Sequence, residues 1–336
     1  MTVSDVVDVL RELSRTIQRQ VLSACHEQSI EQLSTVSHEA AEDTIFSIDR
    51  VSESALLAGI APHADRLGGV VLVAEGLSSE AVTLPEAWRP EQARWRVIVD
   101  PIDGTRGLMV QKRSAWILAA VAHNGATPAR LGDLEAAIQT EIPTLKAALA
   151  DELWAFRGEP ARALRRSIDG GQPQPLALRP SRAASIRHGY VTFSRFFPGA
   201  RDELAAIDEA VCRSVLGPNP SGNALCFEDQ YISTGGQLYE LMVGHDRFVA
   251  DLRPLMVPLL RRRGVQQGLC CHPYDICTAL IAQQAGVIVT APDGSALDAP
   301  LDLHSDVAWV GYANSAIQRE VEPALQAALR ERGLLA

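Results

Sequence analysis

Residues 95–105 read WRVIVDPIDGT, and this stretch decides the fold prediction. The apolar run at 95–99 predicts an interior strand that ends on Asp100. The proline and the glycine that follow force a sharp turn, which carries Asp100 and Asp103 three positions apart. Two carboxylates this close repel each other unless one is protonated or a cation lies between them, and hard oxygen ligands on a rigid turn suit Mg²⁺. A plain Asx turn that caps a helix is the alternative interpretation of such a string.

A second interior strand is predicted at residues 69–74, where a Val-Val-Leu-Val run precedes Glu75. Both strands therefore deliver a carboxylate at their ends. If a helix or turn begins at Gly104 and Thr105, their backbone N–H groups are free to bind a phosphate beside the metal.

The rest of the chain predicts helices and strands in both halves, which is typical of a layered α/β or α+β protein. The three-and-four spacing of apolar residues over 3–35 predicts one long amphipathic helix. A second helix is expected over 52–57, with Pro62 as part of its stop signal. Residues 78–92 are expected to form a loop, and 133–150 have helix composition interrupted by a proline.

Composition excludes several classes of protein. The 336 residues include 31 Lys plus Arg and 41 Asp plus Glu, a net charge of −10 that disfavours binding to a nucleic acid polymer or an anionic membrane. Neither a membrane span nor a secretion signal is recognised in the sequence, so we expect a cytoplasmic protein. The six cysteines contain no CxxC pair, which favours reduced, mostly buried thiols.

Several motifs together carry a family resemblance. DPIDGT at a strand end, Glu75 after the preceding strand and Pro273-Tyr274-Asp275 opening a helix resemble the inositol monophosphatase family, within the lithium-sensitive, magnesium-dependent phosphatases. Residues 43–49, DTIFSID, look like the D-x-V-T-x-x-D segment of that family. Later segments at 233–246 and 311–317 are also similar to segments of the family.

The resemblance implies a fold and a division of the chain. The implied fold is a layered αβαβα sandwich of two lobes. Residues 1–180 form an N-terminal α+β lobe that carries Glu75 and DPIDGT, and residues 181–336 form a C-terminal α/β lobe that carries Asp275. A cluster of turn formers around residues 170–180 marks the expected boundary. A homodimer is implied by the family alone.

The resemblance also implies a two-metal phosphatase site with two Mg²⁺ and a third, looser one. The implied ligands are Glu75, Asp100 and the Ile102 carbonyl for one ion, and Asp100, Asp103 and Asp275 for the other. The implied catalytic residues, which orient the attacking water, are Glu75, Thr105 and, behind Thr105, Asp49. The backbone N–H groups of Gly104 and Thr105 would bind the phosphate.

The substrate side departs from the family pattern. His38 replaces a frequent lysine, Arg106-Gly107 replaces Asn-Phe after DPIDGT, and Gly76 replaces the second glutamate of Gly-Glu-Glu. An extra stretch at 252–272 follows Asp251. His38, Arg106 and Asp251 are therefore candidate substrate-binding residues, with a solvated or structural role as the alternative for each.

The expected function is hydrolysis of a small phosphorylated metabolite, a phosphate monoester of an inositol or a sugar, with Mg²⁺ and an activated water. Two alternatives stay open. One is a 3′(2′),5′-bisphosphate nucleotidase, and the other is a non-catalytic metal- or phospholigand-binding protein of the same fold.

Overall fold

The computed structural model describes residues 1–33, 36–39, 44–46, 49–77 and 79–335, with the backbone alone for residues 36–54 of these ranges. Within this part of the chain the α-helices are α1 (Val3–Glu27), α2 (Ile30–Leu33), α3 (Asp49–Leu67), α4 (Thr105–Met109), α5 (Arg201–Leu216), α6 (Thr234–Met242), α7 (Val257–Arg262), α8 (Pro273–Ile276), α9 (Ala279–Ala285) and α10 (Ser315–Glu331). The strands are β1 (Val36–Glu39), β2 (Thr44–Phe46), β3 (Val70–Ala74), β4 (Val82–Leu84), β5 (Trp95–Asp103), β6 (Ala115–His123), β7 (Leu134–Ile142), β8 (Leu149–Phe156), β9 (Arg162–Ser167), β10 (Gln174–Pro175), β11 (Tyr190–Phe193), β12 (Asp246–Asp251), β13 (Ile288–Thr290) and β14 (Trp309–Tyr312).

The predicted strand at 95–99 lies inside an eight-stranded sheet with the order β10-β9-β8-β7-β6-β5-β3-β4. β5 runs parallel to β3 and antiparallel to β6. The register sets Ala74 opposite Val99, so the two strands end side by side. Because of this register, Glu75 and Asp100 leave the sheet at the same edge.

Side chains along the central strands alternate between two cores, as the period of a strand requires. Val97 and Val99 pack in the core that includes the buried faces of α1 and α3, whereas Ile98 packs on the opposite side with residues of α6 and α9. Each fully buried Val or Leu in these cores stabilises the fold by about 1.5–3 kcal/mol relative to exposure. The large sheet is therefore covered by helices on both faces.

A four-stranded sheet with the order β11-β12-β14-β13 forms the next layer. Val249 and Trp309 of this sheet join the core shared with α6 and α9, while Phe248 and Tyr312 pack against α5 and α10. The layers are helices, large sheet, helices, small sheet and helices, which confirms the expected αβαβα order. The strands of the large sheet lie within 70–175 and those of the small sheet within 190–312, but the lobe boundary at residue 180 stays a prediction.

Two helix predictions were wrong at their ends. The first helix stops at Glu27 rather than continuing to residue 35, because Gln28 adopts an extended conformation, and the short α2 follows. The second helix continues through Pro62 to Leu67. Leu56, Ile60 and Leu67 are buried on its core side, and their packing outweighs the one backbone hydrogen bond that the proline removes.

The middle region was also predicted wrongly. Residues 134–142 form a central strand instead of a helix, buried between β6 and β8. Its alanines and glutamates are good helix formers, but intrinsic propensity is easily overridden by tertiary context, and burial on both faces of the sheet decides the conformation. The expected loop at 78–92 contains β4 and a 3₁₀ turn, Pro90–Gln92. In the described part of the chain, no helix has the length and apolar character needed to span a membrane.

Candidate metal centre

The turn after the regular part of β5 brings two carboxylates to the sheet edge. The pairing of β5 with β6 becomes irregular between Asp100 and Asp103. The Ile102 N–H donates to Oδ1 of Asp100 at 2.9 Å, which closes the turn. Asp100 is 1% exposed and Asp103 is 7% exposed, so both carboxylates lie almost entirely out of bulk water.

The segment that begins α6 holds Asp103 from the opposite side. The Ser233 hydroxyl donates to Oδ2 of Asp103 at 2.8 Å, and the Gly235 N–H donates to the same oxygen at 2.6 Å. The Thr234 N–H donates to Oδ1 at 3.3 Å. Burial raises the pKa of Asp103 to about 6, and these three donors oppose the rise. A carboxylate from the large sheet is thus fixed by a helix that covers the small sheet.

Two glycines permit this approach. A Cβ at Gly235 would lie 2.5 Å from Cδ2 of Leu118 and 3.0 Å from Oδ2 of Asp103. Gly104 has φ of +94°, and a Cβ there would lie 3.0 Å from the Cβ of Ser233. Only glycine combines that φ with so little space, so the DGT and TGG segments fit each other closely.

Asp275 reaches the same place from the short helix α8. Its Oδ2 accepts the N–H of His272 at 2.6 Å, which caps the first turn of that helix. One carboxylate oxygen from each of Asp100, Asp103 and Asp275 lies within 4.8 Å of the others. The structure therefore brings together three of the four predicted carboxylate ligands.

Glu75, the fourth predicted ligand, follows β3 directly, and its N–H donates to the Val99 carbonyl at 3.2 Å. Burial and the neighbouring charges of Glu75, Asp103 and Asp275 raise the pKa of Asp100 well above its usual value. Burial and Asp103 likewise raise the pKa of Asp275. At Asp100 and Asp275 the rise in pKa comes first from burial and then from the charges of neighbouring carboxylates. The donors are hard oxygens, the set that Mg²⁺ or Ca²⁺ prefers, so the residues fit a divalent cation.

Thr105 lies beside this cluster at the start of α4. Its hydroxyl donates to the Ile102 carbonyl oxygen at 2.8 Å. A carbonyl oxygen has two lone pairs, so the Ile102 oxygen can accept from or bind a second partner. Gly104 is the N-cap residue of α4. The predicted phosphate-binding residues are therefore adjacent to the carboxylates.

Arg106 and Asp251, two of the predicted substrate-binding residues, lie in a cluster of arginine and phenylalanine side chains. The guanidinium of Arg106 lies 5.5 Å from the ring centre of Phe197. Asp251 is fully buried, and both of its carboxylate oxygens accept hydrogen bonds from Arg253, at 2.8 and 2.5 Å. Arg253 also packs against the rings of Phe196 and Phe197. The Asp251 carboxylate is thus engaged by the chain itself.

Three further residues singled out in the sequence lie wholly or partly outside the described part of the chain. Asp43 lies outside the described residues, and the side chains of His38 and Asp49 do as well, although the backbone places His38 in β1 and Asp49 at the start of α3.

Sequence reasoning missed the importance of Arg253. Burial raises the pKa of Asp103 and of Asp275, and the charge of Arg253 partly opposes this rise at both carboxyls. Arg253 belongs to the 252–272 stretch, which has no counterpart in the family pattern, so no motif pointed to it. The sequence did contain a signal for the segment that holds Asp103, because Ser233-Thr234-Gly235-Gly236 resembles a family segment.

Comparisons with known proteins support the fold through structure alone. No protein-family model matches the chain, and no curated protein sequence matches it. Solved structures do match along nearly the whole chain. They include the extragenic suppressor protein suhB from Bartonella henselae, with 17% sequence identity and a TM-score of 0.63 over 96% of this chain and 98% of that one.

Two further solved structures are similar to this chain along nearly its whole length. Fructose-1,6-bisphosphatase from Leishmania major has 12% identity and a TM-score of 0.64, covering 97% of this chain and 93% of that one. A calcium-bound IMPase family protein from Staphylococcus aureus has 15% identity and a TM-score of 0.62, covering 97% of both chains. The chain therefore has the inositol monophosphatase fold that the DPIDGT resemblance implies.

Proposed function

We propose that the chain is a Mg²⁺-dependent phosphatase that hydrolyses a small phosphate monoester, an inositol phosphate or a sugar phosphate. The observation that supports this most strongly is the convergence of Asp100, Asp103 and Asp275 within 4.8 Å at the edge where β5 ends. The fold is consistent with it, since solved structures of the same fold include a fructose-1,6-bisphosphatase and a calcium-bound IMPase family protein.

Five residues are proposed to hold the cations. They are Glu75, Asp100, Asp103, Asp275 and, through its carbonyl, Ile102. A Mg²⁺ held by these residues would neutralise charge on the phosphoryl oxygens and activate a water. Two ions are proposed, with a third looser one, and Gly76 removes a carboxylate that the family places near the third.

The other proposed roles belong to the chain's own polar groups. Glu75 and the Thr105 hydroxyl orient the attacking water, and Asp49 lies behind Thr105. The N–H groups of Gly104 and Thr105 are proposed to donate to the phosphate oxygens, because these residues begin α4 beside the carboxylates. His38 and Arg106 are proposed to contact the rest of the substrate, with Arg106 contributing a cation beside Phe197. Asp251, the third residue expected there, is fully buried and bound by Arg253, so its role is to hold that arginine.

The test is phosphate release from a panel of phosphomonoesters with and without Mg²⁺. The panel contains inositol phosphates, sugar phosphates and a 3′,5′-bisphosphorylated nucleotide. We expect Mg²⁺-dependent release from an inositol or sugar phosphate by the wild type and its loss in Asp103→Asn. Asp169→Asn is the matched control, because Asp169 is exposed beyond β9, four strands away from β5.

Two results would redirect the proposal. Cleavage confined to the bisphosphorylated nucleotide would establish the nucleotidase alternative. No Mg²⁺-dependent release from any ester, together with Mg²⁺-induced stabilisation of the fold, would establish a non-catalytic binding protein.

A further inference from the structure

Two of the six cysteines lie in contact, away from the acid cluster. The sulfur of Cys212, near the end of α5, lies 3.8 Å from the sulfur of Cys226. Both residues are half-buried, whereas Cys25, Cys270, Cys271 and Cys277 are buried. The proposed phosphatase activity uses neither thiol of this pair.

The backbone fixes both ends of the contact. Cys212 is held within α5. On either side of Cys226, the Leu225 carbonyl accepts the His188 N–H, and the Phe227 N–H donates to the Gly189 carbonyl at 3.0 Å. A disulfide has its sulfurs about 2.05 Å apart, so bond formation requires only a small movement of two side chains on a fixed frame.

A carboxylate stands beside the pair. The Cys212 thiol donates to Oδ1 of Asp208 at 3.4 Å, and the Arg195 guanidinium donates to Oδ2 at 2.9 Å. Asp208 is therefore positioned to accept the proton of Cys212. Cys226 is the less enclosed thiol, because the exposed residues 218–224 precede it.

We propose that Cys212 and Cys226 are a disulfide-forming pair that a small-molecule disulfide, such as glutathione disulfide, oxidises. Cys226 loses its proton to water, and its thiolate attacks one sulfur of the oxidant to form a mixed disulfide. The first small thiol leaves as a thiolate and takes a proton back from water. Cys212 then passes its proton to Asp208 and attacks the Cys226 sulfur, and the second small thiol leaves as a thiolate that takes up the proton from Asp208. Two protein thiols are oxidised, and one small disulfide is reduced to two thiols.

The bond would link the loop at 217–225, of which residues 218–224 are exposed, to α5. It leaves the metal centre unchanged, because Gln230 fixes the chain between Cys226 and Ser233: its side chain accepts the Arg195 N–H at 2.9 Å and donates to the Phe193 carbonyl at 2.9 Å. Oxidation is therefore expected to stabilise the fold without altering phosphatase activity.

The experiment treats the reduced full chain with glutathione disulfide and reads the intact mass and the peptide map. We expect the wild type to lose two hydrogens, with a Cys212–Cys226 linked peptide, slower cleavage by protease within 217–225, and a Tm rise of about 3–5 °C. Cys212→Ser should stop at one glutathione adduct on Cys226. Cys25→Ser, which removes a buried and separate thiol, should behave as the wild type.

Asp208→Asn tests the proton acceptor, and we expect the final closure to slow several-fold while the adduct on Cys226 forms at the normal rate. A wild type that keeps all six thiols, that stops at the adduct, or that links other cysteines would overturn the proposal. None of these readouts depends on catalysis, so failure here is distinct from failure of the proposed function.

Discussion

This chain buries one carboxylate, Glu152, among arginines and buries a cluster of carboxylates at the end of β5, and the pKa values of the two shift in opposite directions. Glu152, 2% exposed at its side chain, accepts hydrogen bonds from Arg11 at 2.5 Å, Arg15 at 2.9 Å and Arg166 at 3.2 Å. Burial works to raise its pKa, but the hydrogen bond from Arg15 and the charge of Arg11 outweigh that effect, and the pKa is lowered. This carboxylate ties α1 to the outer strands of the large sheet.

The acid cluster at the end of β5 is balanced much less completely. Among the described groups, Asp103 is held by Ser233 and backbone N–H donors, and Arg253 acts on the cluster through its field while binding Asp251. Burial raises the pKa values of Asp100, Asp103 and Asp275, and the charges of neighbouring carboxylates add to the rise at Asp100 and Asp275. The difference indicates two roles. Arginines of the chain itself neutralise Glu152, which is structural, whereas the negative charge at the candidate site is balanced less fully and favours the binding of a cation.

The largest expected effect comes from removing a charge from the cluster. Asp100→Asn should reduce kcat/KM for the best phosphomonoester by at least about a thousandfold, about 4 kcal/mol of transition-state stabilisation. The reason is that Asp100 is the one carboxylate proposed to bind both ions. Steady-state phosphate release at saturating Mg²⁺ measures the change in kcat/KM. A variant with activity within tenfold of the wild type would contradict the proposed role of Asp100.

Removing the charge of Glu152 should act on stability instead. Glu152→Gln leaves three arginines around a neutral amide and should lower the free energy of unfolding by about 3 kcal/mol. Urea unfolding followed by circular dichroism measures the change. Glu159→Gln is the control, because Glu159 is half-exposed in its pair with Arg162, and we expect a loss of at most about 0.5 kcal/mol. Equal losses in the two variants would contradict the structural role of Glu152.

The two groups should also respond to pH with opposite signs. Because the pKa of Asp103 is raised from 3.8 to about 6, its protonation stabilises the metal-free fold below pH 3.8, and this contribution is lost as the pH rises through about 6. The pKa of Glu152 is lowered, so its contribution is present above the ordinary value of 4.5 and is lost as the pH falls.

Unfolding in EDTA tests these signs. Asp103→Asn should be more stable than the wild type by about 1–2 kcal/mol near pH 8 and no more stable near pH 4. Glu152→Gln should cost more near pH 8 than near pH 4. The same sign for both variants would show that the cluster is not under repulsion.

Asp246, at the start of β12, is a third buried carboxylate with which to compare Glu152 and the acid cluster. Burial and Glu240 raise its pKa to about 7, opposed by Arg113. Protonation therefore stabilises the fold at low pH, and this stability is lost as the pH rises from 3.8 through about 7. Asp246→Asn should raise the free energy of unfolding by about 1–2 kcal/mol near pH 8, with phosphatase activity unchanged. Destabilisation near pH 8 would show that the Asp246 charge is needed by the fold.

The sequence predicted those parts of the molecule where local pattern and tertiary packing agree. WRVIV and the Val-Val-Leu-Val run are strands by composition and by burial, and the turn in DPIDGT follows from its proline and glycine. Residues 134–142 were missed because their helix-like composition is overridden by two neighbouring strands. The ion pair between Arg253 and Asp251 could not be predicted, because only the folded chain brings it near Asp103 and Asp275.

The most direct test of the central claim is a crystal structure of the chain grown with Mn²⁺, with anomalous scattering collected at the manganese edge. The account predicts an anomalous peak within bonding distance of carboxylate oxygens of Asp100, Asp103 and Asp275. A map with no peak there at millimolar Mn²⁺, in which the three acids share protons and bond directly to one another, would contradict it.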